Sequence, residues 1–279
     1  LVATCSSPLS RNHTFGINLY RRMTLSETRA VTKQVAEGVK SCESVLALAH
    51  RHDVGAARRM IDLLMQKAPE QHRPQSLPMQ ELARLEPDIQ GPSQAWLLPH
   101  EGHLNTVEAM QALYASADAV HWHWNSRVAS LSAHTLHTSN QDYRYDWVFD
   151  VRGTGARGDA PAGPANLLSC RNVRGVRGEI FWLHAPNVQL HRPIRLLHPR
   201  HRVYMVPRSG NVIVVGASEL ESEDRSPVSL RSTVELLAAA HSVMPALAEA
   251  RVVHSETNLR PALIDNLPRE SVVEVPCLV

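Results

Sequence analysis

Apolar residues recur along this chain at two spacings, and the change from one to the other divides it. Over the first hundred residues the spacing is mostly helical. Thr24, with Glu27 three residues on, has the form of a capping box. It opens a run in which Val31, Val35, Val39, Val45, Leu46 and Ala49 fall near one helical stripe, with Gly55 as the end signal. Met60, Leu63 and Leu64 make a second stripe, Pro69–Pro78 a connector rich in Pro and Gln, and Met79–Leu85 a short helix. Stripes of this kind are expected to bury against a core. From Asn105 the pattern changes. Asn105 and Glu108 can cap a helix that carries Val107, Met110, Leu113 and Tyr114. Val120, Trp122 and Trp124 then alternate with His121 and His123, which predicts a strand with its tryptophans in the core. Arg127–Leu131 and Tyr143–Val151 read as strands separated by the turn-like Ser139-Asn140-Gln141-Asp142, and Gly153–Pro164 reads as a loop.

The last third is strand-rich. Gly178–His184, Arg202–Val206 and Asn211–Ala217 run apolar or alternate, and Ser209-Gly210-Asn211 sits where a hairpin turn belongs. A helix over Ser229–His241 puts Leu230, Val234, Leu237 and His241 on one side, and Ala250–His254 predicts a last strand. The sum is an α/β or α+β protein with a mixed, largely antiparallel sheet.

Composition narrows the picture. A chain of 279 residues, 43% hydrophobic, can bury one large core or two interleaved ones. A formal net charge of +2 with 16 histidines gives no reason to expect a nucleic-acid partner. No signal peptide and no 18-residue apolar stretch is present, so no membrane span is expected. Cys5, Cys42, Cys170 and Cys277 are far apart and form no CxxC, which points to reduced thiols and a cytoplasmic setting. His121 with His123, or His134 with His137, could approach a metal, but no acidic or cysteine ligand completes a set, and no metal site is predicted. The basic stretch Arg192–Arg202, with His191, His198 and His201, reads as a solvated loop between strands. The chain opens on Leu1 and stops at Cys277-Leu278-Val279, and it reads as a fragment.

One ordered series of motifs adds chemistry. Arg174-Gly175-Val176-Arg177-Gly178-Glu179 is followed by Tyr204-Met205-Val206-Pro207-Arg208, Val214-Val215-Gly216-Ala217-Ser218, Met244-Pro245-Ala246-Leu247 and Leu259-Arg260-Pro261-Ala262. By residue type alone Tyr204 is a strand residue and Arg260 a solvated or paired cation. In this order the motifs resemble the D-amino-acid oxidase family of FAD-dependent oxidoreductases, the glycine oxidases most closely.

The resemblance implies an FAD-binding, Rossmann-like domain, incomplete here, interleaved with a substrate domain. It places 1–104 in the substrate domain as a mainly helical segment, 105–171 in the middle of the FAD domain, 172–256 in the substrate domain and 257–279 at the return to the FAD domain. It implies FAD as cofactor and a small amino acid or amine as substrate, oxidised by hydride transfer to give an imine and hydrogen peroxide; a homo-oligomer is compatible with it. Tyr204 stands at the tyrosine whose hydroxyl meets the substrate carboxylate, and Arg260 at the arginine that pairs with it. A guanidinium fork matches the two carboxylate oxygens. Val128, Gly153, Gly155, Gly178 and Gly216 stand at the cofactor side, where glycine lets backbone come close to a ligand. Gly16, Gly38 and Gly55 are isolated, so the family's Gly-x-Gly-x-x-Gly turn is not matched, and this polypeptide by itself is expected to bind FAD poorly or not at all. A non-catalytic relative acting as a binding or assembly partner, or a flavoprotein that modifies a protein partner, stays open beside the enzyme.

Overall fold

The computed structural model describes residues 44–264, apart from 100, 104, 117–119, 133–134, 146–147, 149–150, 157–172 and 199–201. The capping box at Thr24, the stripe from Val31 to Val39 and all four cysteines lie outside the described residues. The chain divides into two compact units: Val39–Asn105 with Arg177–Asn258, and Thr106–Val176 with the chain from Leu259 onward.

The first unit corrects the helical reading of the chain's start. Ser44–Ala49 is a strand, β1, not the end of a helix. Val45 to Ala49 are all buried, with apolar residues facing core on both sides, so the run carries no period that would separate strand from helix. Gly55 does not end a helix either; it lies at the start of one, α1 (Val54–Lys67). Helix α1 buries Ala57 and Ile61, whereas Met60 and Leu63 of the expected stripe are exposed. The buried pair is spaced i, i+4 and meets Trp96, Leu98 and Leu197 in one cluster, which turns the helix away from its bulkier side chains. After β2 (Gln75–Leu77), the short helix α2 (Met79–Leu85) falls where it was expected. Strand β3 (Gln94–Pro99) pairs antiparallel with β1 and β2.

In the second unit α3 (Thr106–Ala115) buries Ala109 and leaves Val107, Met110, Leu113 and Tyr114 exposed, the reverse of the expected stripe. Val120–Trp124 is not a strand. The Trp122 and Trp124 rings stack on each other at 5.6 Å, with Tyr114 tilted against both, so the indoles find partners outside the core and Trp124 stays 59% exposed. Strands β4 (Val128–Ser132), β5 (Thr135–Thr138) and β6 (Asp142–Arg144) make a three-stranded antiparallel sheet. Its β5–β6 turn is held by Thr138, whose hydroxyl donates to the Gln141 carbonyl at 2.7 Å.

The chain crosses between the units inside β7 (Arg174–His184) and again inside β11 (Arg251–Ala262). Between these lie β8 (Ile194–Leu197), β9 (Arg202–Arg208), β10 (Val212–Gly216) and α4 (Leu230–Val243). Ser229 caps α4, accepting from the Ser232 amide at 3.1 Å. The β9–β10 hairpin turns where expected, at Gly210 (φ 74°) and Asn211 (φ 56°).

The resulting eight-stranded sheet runs β11-β7-β10-β9-β8-β1-β3-β2. It is mixed, because β1 pairs parallel with β8 while β8–β9, β9–β10 and β10–β7 are antiparallel. One face carries Leu46, Leu48, Ile194, Val203, Met205, Ile213, Val215 and Phe181, packed under Leu236, Ala240 and Val243 of α4. On the other face α1 covers the β1–β3 end. Past it, the side chains of β9, β10 and β7 on that face belong to neither cluster.

Candidate active site

Alternation sends Tyr204, Val206 and Arg208 to this second face, because Val203 and Met205 are claimed by the core. Register then fixes their neighbours. Arg195 of β8, Tyr204, Gly216 of β10 and Ile180 of β7 form one row across four strands. Val206, Val214 and Trp182 form the next, and Arg208, Val212 and His184 the third.

Tyr204 lies across Gly216. A Cβ built on Gly216 would sit 2.6 Å from the Tyr204 hydroxyl oxygen and 2.6 Å from Ile180 Cγ2. Only glycine leaves the phenol room to lie on the backbone. In the second row the Trp182 ring packs against His254 of β11 at 4.7 Å, and Glu256, two residues on, lies 4.0 Å from His254. At the rim of the first row Arg195 is paired with Glu101 at 2.8 Å.

His103 is a member that sequence gave no sign of. Burial, and then the charge of Arg208, push its imidazole below the ordinary histidine pKa, so it is held neutral beside a guanidinium. Its Nδ1 is buried without a hydrogen-bond partner among the described residues.

Beneath the row, on the core side of β7, Glu179 is fully buried and Arg177 nearly so. Arg177 donates to Glu179 Oε1 from Nε (3.0 Å) and Nη2 (2.5 Å), and to the carbonyls of Asp224 and Pro227 (2.7 Å each). The Ser229 amide donates to Glu179 Oε1 at 2.9 Å, and the hydroxyls of Ser218 and Ser229 to Oε2 at 3.3 Å. Burial drives the Glu179 carboxyl up, but hydrogen bonds from Ser232, Arg177 and Ser229, with the Arg177 charge, outweigh it and hold the group below the usual carboxylate range. Within the motif Arg174–Glu179 the polar pair Arg177–Glu179 is better anchored than Gly178.

The remaining expected site residues lie in the other unit. Val128 is buried in β4, next to a bulge between Val128 and Ser130. Gly153 (φ 57°) opens a 3₁₀ turn, Gly153–Ala156, and its missing Cβ makes room for the Pro261 ring at 3.2 Å. The Gly155 amide donates to the Arg152 carbonyl at 3.0 Å. Arg260 follows Leu259 in β11, and the Arg174 guanidinium holds this segment by donating to the Leu263 carbonyl. So Gly216 and Tyr204 come together in one unit, Gly153 and the Arg260-Pro261 segment in the other, and Gly178 joins the first group through β7. A cavity of about 390 Å³ lined by His50, His52, His198 and Ser242 contains none of these residues.

A family profile described as FAD dependent oxidoreductase matches residues 18–275. A curated relative, the thiamine biosynthesis oxidoreductase ThiO of Rhizobium etli, is 39% identical over 189 residues, covering 67% of this chain and 52% of that protein. The chain therefore spans about half the length of this relative. A separate similarity, 83% identity over 54 residues to a glycerol-3-phosphate dehydrogenase [NAD(P)+] of Streptomyces griseus, covers 19% of this chain and 16% of that enzyme. The crystal structure of glycine oxidase from Geobacillus kaustophilus superposes with a TM-score of 0.70 at 24% identity, covering 87% of this chain and 66% of that one, and shares its fold.

Proposed function

The chain belongs to the family of FAD dependent oxidoreductases, and on that premise we propose that it oxidises a small amino acid or amine to an imine, with molecular oxygen taking up the two electrons and two protons to give hydrogen peroxide. FAD is the family's cofactor and supplies the hydride acceptor when bound. The observation that carries the reading is the phenol of Tyr204 laid over bare backbone at Gly216, on a sheet face left outside both core clusters.

In this reading the Tyr204 hydroxyl donates to the substrate carboxylate and the Arg260 guanidinium pairs with it through two parallel N–H donors. Carboxylate binding of this kind orients the substrate and leaves the reacting bond to the cofactor. Neutral His103 and the Trp182–His254 pair bound the same face.

The residues present fit FAD in part. Gly178 and Val128 lie in strands that can run beside a planar ligand, whereas the space over Gly216 is taken by the Tyr204 ring and Ile180. Gly153 and Gly155 meet local needs first, the one packing under Pro261 and the other turning onto Arg152. We assign these five to the cofactor on the strength of the family motif.

The test is peroxide release with glycine, sarcosine and D-alanine from the chain supplied with excess FAD, after binding has been checked by flavin absorbance. Turnover of at least one is expected. Tyr204→Phe and Arg260→Ala should each raise KM for the carboxylate-bearing substrate by about tenfold or more, with a smaller effect on kcat. No peroxide with any amine once FAD is bound, or unchanged KM in both variants, overturns the reading.

A further inference from the structure

We propose that Glu179 is a positioning residue for Tyr204, acting through the backbone at Gly216–Ser218. This rests on the reading that Tyr204 binds substrate. Tyr204 sits on backbone, so its place depends on what holds that backbone. Past Gly216 the strand ends, and the connector to α4 must be fastened to β7 by other means. Glu179 supplies the fastening. Its amide donates to Ser218 Oγ at 2.9 Å, its carbonyl accepts from the Ser218 amide at 3.3 Å, and its carboxylate accepts from the Ser218 hydroxyl.

Two further ties keep the connector from swinging. Arg177 and Leu220 exchange both backbone hydrogen bonds at 2.9 Å, and the Arg177 guanidinium, held by Glu179, reaches the carbonyls of Asp224 and Pro227. At the far end Glu179 accepts from the Ser229 amide at the start of α4, where a carboxylate also suits the helix dipole. One buried carboxylate thus joins β7, both ends of the connector and the helix cap. The residue next to it, Ile180, is the side chain that meets Gly216 from the other side. Among the described residues the hydrogen bonds of Glu179 run to Arg177, Ser218, Ser229 and Ser232 and not to the face of Tyr204; it sets the strip of backbone that the phenol lies on.

A core ion pair that only stabilised the fold would leave Tyr204 unchanged in a folded variant, and this separates the two roles. In the full chain, nitration of Tyr204 by tetranitromethane is followed by peptide mapping against the other tyrosines, and amide exchange is read over residues 216–220. Glu179→Ala should speed Tyr204 nitration and exchange at 216–218 about tenfold, the scale of one charge-assisted hydrogen bond lost. The other tyrosines should stay within twofold, and Glu179→Gln, which keeps an acceptor for the Ser229 amide, should restore most of the protection. In the peroxide assay KM should rise with kcat nearly unchanged. Equal loosening at every tyrosine, or no change at Tyr204 in a folded Glu179→Ala protein, overturns the proposal. If Glu179→Ala does not fold, Ser218→Ala, which removes only the link to the connector, decides by the same two readings. Faster nitration without any change in KM supports the positioning and sinks the substrate role of Tyr204, so the two failures are told apart.

Discussion

At the scale of single residues, the site is decided by atoms that are missing or charged. Gly216→Ala would drive a methyl group to within 2.6 Å of both Tyr204 and Ile180. One obstacle is the end of the Tyr204 ring and the other a methyl of β-branched Ile180, so the phenol must swing off the strand or Ile180 must shift. The expected cost is about 1–3 kcal/mol in urea denaturation, with a rise in KM if the displaced phenol no longer reaches substrate. Charge sets the response to acid. Glu179 has a folded-state pKa below its ordinary value, so the unfolded chain binds its proton first as pH falls. The stability it contributes is complete above the ordinary glutamate range and is lost as pH drops through its folded value. His103 is also lowered, from 6.5, so the unfolded chain again takes the proton first. Its loss begins higher, as pH falls through the ordinary histidine range, and levels off below the folded value. Unfolding midpoints measured from pH 8 to pH 3 should therefore fall in two stages. His103→Gln should remove the upper stage and Glu179→Gln the lower; a curve unchanged by both would show that these shifts do not govern acid stability.

At the scale of elements, α1 gives the sharpest contrast between what the chain suggests and what it does. Ile61→Ala empties a buried site among Trp96, Leu98 and Leu197 and should cost about 2–4 kcal/mol. Leu63→Ala, two residues on and exposed, should fall within about 0.5 kcal/mol. Equal costs for the two would mean that α1 buries the stripe read from sequence instead of the observed one. Ser229→Ala should cost about 1–2 kcal/mol, since it removes both a helix cap and a donor to Glu179. The β9–β10 hairpin and α4 were legible because turn, alternation and helical period are local signals that tertiary packing did not override, but Ile194–Leu197, read as part of a solvated loop, is the buried strand β8 inside the sheet. Ser44–Ala49 was not, because a strand covered on both faces looks like any short apolar run. Trp122 and Trp124 misled for a different reason: two aromatic residues spaced for a strand stack on each other instead. Of the proposed site, Tyr204 and Gly216 stand in motifs visible in the sequence. Arg177 and Glu179 stood in a quoted motif, yet nothing local says that a charged pair will be buried, and His103 depends on a loop meeting Arg208 from far along the chain.

At the scale of the whole molecule, the sheet is assembled from parts of the chain that are distant in sequence, and this governs how the protein can form. The hairpin β9–β10 is local, but β1 enters the sheet by pairing with β8, in the register Leu46 with Ile194. The core beneath it joins Leu46, Leu48 and Leu82 to Met205, Val215 and Leu236. The first set cannot bury itself before the second has been made, so the closure of a long loop precedes its reward. The FAD dependent oxidoreductase profile spans both sets, as expected if neither is an independent fold. A polypeptide of residues 1–173, ending before β7, keeps β1, β3, β2, α1 and α2 but leaves one side of β1 unpaired and the faces of Leu46 and Leu48 uncovered. It should show no cooperative transition when followed by circular dichroism during heating, and it should associate through that open strand. The full chain should unfold cooperatively, with the signal of the sheet and the fluorescence of Trp96 and Trp182 lost together, because β3 and β7 belong to one sheet. A cooperative melt from residues 1–173 would show that the β1–β3–β2 end is a folding unit in its own right, and Glu179 would then hold together a sheet already half formed.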